Sequence, residues 1–158
     1  MSIPYDVLTL TVAGIMVGNE FAVAAFVHPQ LPRMSEKAHA EAAQLLAGSL
    51  GRWMPFWYAL TLGLMIGAAF EHRPVSGTPD VLIAVAALLW FVAILFTVTK
   101  LVPINNRITR MDPDQPHDIW LCDRCQWDKF HRMRVLILAI AFVLLLTGVL
   151  QSIALPTH

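Results

Sequence analysis

The residues of this 158-residue chain that could do chemistry are polar groups stranded in apolar sequence. Asn19 and Glu20 stand inside the run Tyr5–Val27, and His28 follows at its end. An ionisable side chain at that depth is costly, so Glu20 should face the interior of a helical assembly and there be protonated or find a partner, most simply an arginine. Val102-Pro103-Ile104-Asn105-Asn106-Arg107 emerges from a later apolar run and brings two amides and a guanidinium, rich in donors, to one point. A turn explains Pro103 and one Asn, but a second adjacent Asn less well. Further on, Trp120, Arg124, Trp127, His131 and Arg134 share one helix face: at about 100° per residue they stay within about 40° of the Trp120 line. Leu138 and Leu145 continue that stripe. An interfacial aromatic belt with snorkelling arginines accounts for the residue types. A face packed on a ligand or another span accounts for their alignment as well.

Two chemistries suit these groups, and the residues leave both open. A carbon acid needs a base and a holder for its enolate oxygen: His131 for the first, with Arg134, Asn106 or Arg107 for the second. A haem b needs imidazole ligands and cations for its propionates. His28 and His131 are then the metal ligands, Asn19 or Asn106 a weak sixth ligand or hydrogen bonder, Arg107 a propionate partner, and Trp120 and Trp127 the walls. No C-x-x-C-H is present, which excludes a covalent c-type haem. Cys122 and Cys125 form a C-x-x-C, but on the helix face opposite His131, with His117 the one further ligand in reach. They read as incidental thiols in a reducing compartment.

The elements that must position these groups are four apolar runs, about 5–27, 53–70, 81–102 and 135–155. Each approaches the roughly 20 residues needed to cross a hydrocarbon core as helix. The fold expected is all-α: one integral-membrane four-helix bundle over 1–158. The 57% hydrophobic content exceeds what a soluble domain carries in such long stretches. A net charge of zero argues against nucleic acid as a partner. Met1–Asp6 has no basic residue, so no secretory signal is expected. Of the eleven Lys and Arg, all but Arg73 lie in or beside the first and third connections. Those connections should face the cytoplasm, with both termini outside, as in a bacterial inner membrane.

Finer expectations follow. Ser35 N-caps a surface helix through Leu46, on which His39 is solvated. Glu71–Asp80 is a tight outer turn. The last helix starts near His117 or Asp118, runs roughly 35 residues and extends into the cytoplasm before becoming span four. Gly14/Gly18 and Gly63/Gly67 allow close helix contact, within the bundle or in a homodimer. The costly polar groups converge on a pocket at the cytoplasmic end, between spans one, three and four. Such a pocket suits a hydrophobic or aromatic small molecule. No inverted repeat or broken mid-membrane helix suggests a transporter.

Asn19-Glu20, His28, the Val-Pro-Ile-Asn-Asn-Arg segment 102–107, and Trp120, Trp127, His131 and Arg134 together resemble the anthrone oxygenase-like family of small four-span membrane proteins. The resemblance spans nearly the whole chain, and its most specific part is that segment followed by Trp-x6-Trp-x3-His-x2-Arg. It implies oxidation of anthrones, tricyclic phenols, to anthraquinones with dioxygen. Many bacterial members have no assigned reaction, and the cysteine pair is not part of the family pattern. A non-catalytic haem-binding or structural membrane protein is the alternative class.

Overall fold

The computed structural model describes residues 3–71, 77–116 and 118–154. Most of the expected outer turn, and His117, fall outside that range. Helix α1 is Ile3–Ala22. It runs on through a π-helical turn, Val23–Val27, and a 3-10 turn, His28–Arg33. Helix α2 is Glu36–Glu71. Helix α3, Thr78–Phe96, passes through a second π-helical turn, Thr97–Leu101, into α4, Val102–Thr109. Helix α5 is Trp120–Ala154. Four of these continuous helical stretches are long and apolar enough to cross a membrane. The protein is an all-α integral membrane bundle.

Both π-helical turns have the same local cause. His28 N–H donates to the Val23 carbonyl, and Val102 N–H to that of Thr97. A proline follows directly in each case, Pro29 and Pro103, whose missing N–H and bulky ring loosen the preceding turn. Helix α2 starts as the sequence implies: Ala38 N–H donates to Ser35 Oγ at 3.4 Å. It is not a separate surface helix, because it continues through Gly48 and Gly51 into span two, past Pro55 within the helix. His39, expected in solvent, is buried, with its ring edge-on to Trp120 at 4.8 Å. The burying surface comes from α5, far along the chain, where no local reading of a polar segment would look for it.

The spans pack in a ring, α1 on α2, α2 on α3, α3 on α5 and α5 back on α1. The larger core is built from small and large residues alternately, among them Ala86, Trp90, Ala141 and Leu145, all fully buried. At Gly148 a Cβ would lie 2.8 Å from the Pro79 carbonyl, a backbone atom, and from Ile83. Of the expected glycine pairs, Gly67 lies under the Tyr5 ring and Gly14 under Phe142, while Gly18 and Gly63 meet nothing. At the other end, which carries the first and third connections and is called the basic end below, a second core joins Ala40, Ile104, Ile108 and Trp120. Gln44 fastens the third connection to α2 by donating to the carbonyls of Thr109 and Met111. Lys37 pairs with Asp114 across the same gap at 2.5 Å.

Candidate functional site

Helix α5 turns one continuous stripe inward: Trp120, Arg124, Trp127, His131, Arg134, Leu138 and Leu145 are all buried. The spacing predicts that stripe. Cys122 and Cys125 are free thiols on the exposed side. Where the stripe meets the basic end of α1, it forms two clusters of the same composition.

In the first, Arg134 Nη2 donates to Glu20 Oε2 at 2.7 Å and to His131 Nδ1 at 2.9 Å. Its Nη1 reaches Thr97 Oγ1 at 3.3 Å, and its guanidinium lies 5.6 Å from the Tyr58 ring centre. Glu20 is 2% exposed, so the expected pairing with an arginine is present inside the bundle. In the second, Arg124 Nη2 donates to His28 Nδ1 at 2.6 Å and to Asp128 Oδ1 at 3.1 Å. Trp127 joins the two. Its ring stacks on His28 at 4.4 Å and on His131 at 4.6 Å, and the imidazoles are 5.7 Å apart.

Each Nδ1 also lies near a carboxylate: His28 Nδ1 is 3.0 Å from Asp128 Oδ1 and His131 Nδ1 is 3.4 Å from Glu20 Oε2. A guanidinium can only donate, so an Nδ1 bonded to it accepts and the proton of the neutral ring sits on Nε2. A proton on Nδ1 is instead donated to the carboxylate, so each ring can take either tautomer. Neither Nε2 has a hydrogen-bond partner among the described residues.

A cavity of about 190 Å³ adjoins the first cluster, between all four spans. Glu20, Asn19, Trp127, His131 and Arg134 line one side; Met54, Pro55, Tyr58, Thr97 and Asn105 complete it. Asn19 Nδ2 approaches Met54 Sδ at 3.8 Å. The wall is otherwise apolar. His28 backs Trp127 and does not line the cavity; Trp120 lies further along the stripe against His39. Asn106 and Arg107 point elsewhere: both are exposed, and Arg107 makes a two-pronged bond to Asp123 at 2.6 and 2.8 Å. The amide at the cavity is Asn105, its neighbour. Sequence reasoning missed all of span two's contribution and Asp128, and did not tell Asn105 from Asn106. Asp128 is four residues from Arg124, a spacing that pairs opposite charges on a helix, and could have been found that way. Tyr58 gave no signal, since tyrosine is common at this membrane depth.

An iron-ligating imidazole gives its second N–H to a carboxylate or carbonyl and keeps a lone pair for the metal. Here each Nδ1 meets both a guanidinium and a carboxylate. As the side chains stand, His28 and His131 do not share an open face for a haem, since His131 lines the cavity and His28 does not. Among the described residues no group of three or more His, Cys, Asp and Glu side chains is placed to hold a metal ion.

Four membrane-spanning helices around an arginine-clamped acid and imidazole, beside an apolar cavity, define a membrane protein with a buried polar cluster inside its bundle. The chain matches the anthrone oxygenase family over residues 50–144, more than half its length, and it belongs to that family. The matched stretch contains Tyr58, Thr97, Asn105 and the α5 stripe through Leu138, and leaves Asn19, Glu20 and His28 outside. No curated protein and no solved structure matches the chain.

Proposed function

We propose that this protein is an oxygenase that converts an apolar aromatic carbon acid of the anthrone type to the corresponding quinone, at the cytoplasmic side of the membrane and without a resident cofactor. The observation that supports this reading best is Arg134, which donates to Glu20 and His131 at once on the wall of an otherwise apolar cavity. In the tautomer whose Nδ1 accepts from Arg134, His131 donates through Nε2, and in this reading the ring holds the ketone oxygen of the substrate and its enolate rather than acting as the base. Glu20 is then the acceptor for a proton of the CH2 group, which lies across the central ring from that oxygen and is conjugated to it through the flanking rings once deprotonated. Asn105 and Asn19 supply further amide donors. Asn106 and Arg107 take no part, being engaged or exposed outside the cavity.

The balance is R2CH2 + O2 → R2CO + H2O. The substrate carbon loses four electrons. One oxygen atom ends in the new carbonyl and the other in water, which also takes the two hydrogens. The activated carbanion is the reductant and dioxygen the oxidant.

The test is quinone formation from anthrone in air by the purified protein in lipid nanodiscs, followed by absorbance and oxygen uptake. One O2 per quinone is expected from a preparation with no Soret band. His131→Phe should lower kcat by about 10²–10³, the usual cost of one oxyanion donor, with the four spans still inserted. No quinone above the buffer rate would sink the oxygenase reading and leave a binding or structural protein. A Soret band that tracks activity would overturn the cofactor-free mechanism. Sidedness rests on the basic residues of the first and third connections. A reporter fused after His158 should be active only outside the cytoplasm; cytoplasmic activity reverses the assignment.

A further inference from the structure

The residues lining the cavity differ in how they meet the outside. Those from α1 and α5 are buried or half-buried. The exposed ones are Gly51, Pro55 and Ala59 on α2, and Val98 and Val102 on the facing span. The cavity therefore opens sideways, between these two helices, and the rim carries no charge. On α2 the rim lies at the start of the second apolar run, and on the facing span at the end of the third. That is the boundary between hydrocarbon and headgroups at the basic end.

Both walls of this opening depart from regular helix. Pro55 removes the N–H that the Gly51 carbonyl would accept from. Opposite, Val98 sits within the π-helical turn Thr97–Leu101, where an extra residue widens the helix. Gly51 adds no side chain, and a Cβ there would meet nothing within 4 Å. Beside the rim Trp53 and Phe56 are 67% and 72% exposed, aromatic surface at the depth where amphipathic rings collect.

We propose that the gap between α2 and the α3–α4 span, rimmed by Gly51, Pro55, Val98 and Val102, is a lateral portal through which a bilayer-dissolved aromatic ligand reaches the cavity. This rests on the functional reading above for the class of ligand, and on the lining residues alone for the route. A tricyclic phenol with one or two oxygens partitions to the same boundary as tryptophan side chains. It then slides in ring-first past an uncharged rim and meets Arg134, His131 and Glu20 only at the inner wall. A route from water would instead need a polar mouth.

The test uses the full-length protein in nanodiscs, with Cys122→Ser and Cys125→Ser to remove the exposed native thiols. In that background the Val98→Cys variant is labelled with bilayer-soluble N-phenylmaleimide or with a membrane-impermeant sulfonated maleimide. Only the bilayer-soluble reagent should react readily. Anthrone at ten times its Kd should slow that reaction about tenfold, following the factor 1 + [L]/Kd. The Leu88→Cys variant, at a position 59% exposed on the same helix but away from the cavity, should be labelled at a rate anthrone does not change. Gly51→Trp should cut kcat/KM far more than kcat, while Leu60→Trp, exposed on α2 away from the rim, should not. Lack of protection in the Val98→Cys variant, or equal protection in the Leu88→Cys variant, overturns the portal even if quinone is formed. Protection without quinone formation supports the portal and counts against the oxygenase reading alone.

Discussion

Arg134 shows why a buried charge is informative at the level of single residues. A lone carboxylate or guanidinium in the bundle would be expelled or neutralised; together, 2.7 Å apart, Glu20 and Arg134 are held because each removes the other's penalty. Removing one partner leaves the other uncompensated. Glu20→Gln and Arg134→Met should each lower stability by about 3–5 kcal/mol, the range for breaking a buried pair. The double variant should recover much of that loss. Unfolding of the three variants in detergent measures it, and simple additivity would refute the coupling. The pairing was legible from sequence because depth alone demands it. The surroundings of His131 were not, because a ring nitrogen's function depends on which atom faces it. The guanidinium at Nδ1 is three residues away on the same helix, yet only the rotamers decide that it donates there. That Asn105 and not Asn106 lines the cavity is of the same kind: adjacent residues point about 100° apart on a helix, and nothing local says which one faces the interior.

Among the elements, departures from regular helix gather around the site. The π-helical turns Val23–Val27 and Thr97–Leu101 and the helix-internal Pro55 all lie at the basic end. Their prolines are visible in the sequence as breakers, but whether a proline ends a helix or widens it depends on neighbours that satisfy the freed backbone groups. Close packing was legible in part. Small-x3-small spacing marks where helices can approach, and Gly67 does lie against Tyr5 and Gly14 against Phe142, but the isolated Gly148, equally enclosed against α3, gave no such pattern. A Cβ there meets the Pro79 carbonyl, which is backbone and cannot swing aside. Gly148→Leu should therefore destabilise the bundle by about 1–3 kcal/mol or more, as overpacking does. Its thermal unfolding in detergent should shift well below that of the parent, and an unchanged midpoint would mean that α3 and α5 are not seated as described. The cap at Ser35 is a milder contact of the same local kind, and its loss is expected to matter far less.

For the whole molecule, hydropathy gives the four spans directly, since each is a local property of about 20 residues. Ring order is not local, and with it went the part that span two plays in the site. Met54, Pro55 and Tyr58 look like any lipid-facing or interfacial residues until α2 is known to lie between α1 and α3. The same ring separates two kinds of glycine. Gly14 faces Phe142, with a Cβ at 3.2 Å, so it belongs to the bundle; Gly18 and Gly63 face outward with nothing within 4 Å. If two copies associate through close-packed glycine faces, the open positions are the ones that do it. Gly18→Leu and Gly63→Leu should then convert a dimer to a monomer in mild detergent, with little change in the unfolding temperature of the bundle. Gly14→Leu should do the reverse, lowering stability without a specific effect on size. Light scattering of the detergent-solubilised variants separates the two. A particle of unchanged mass for both Gly18→Leu and Gly63→Leu would rule out these faces as a subunit interface, and any dimer would have to be sought on the lipid-facing side of α1 around Phe21 and Phe26, whose rings are exposed and meet edge to face at 6.0 Å.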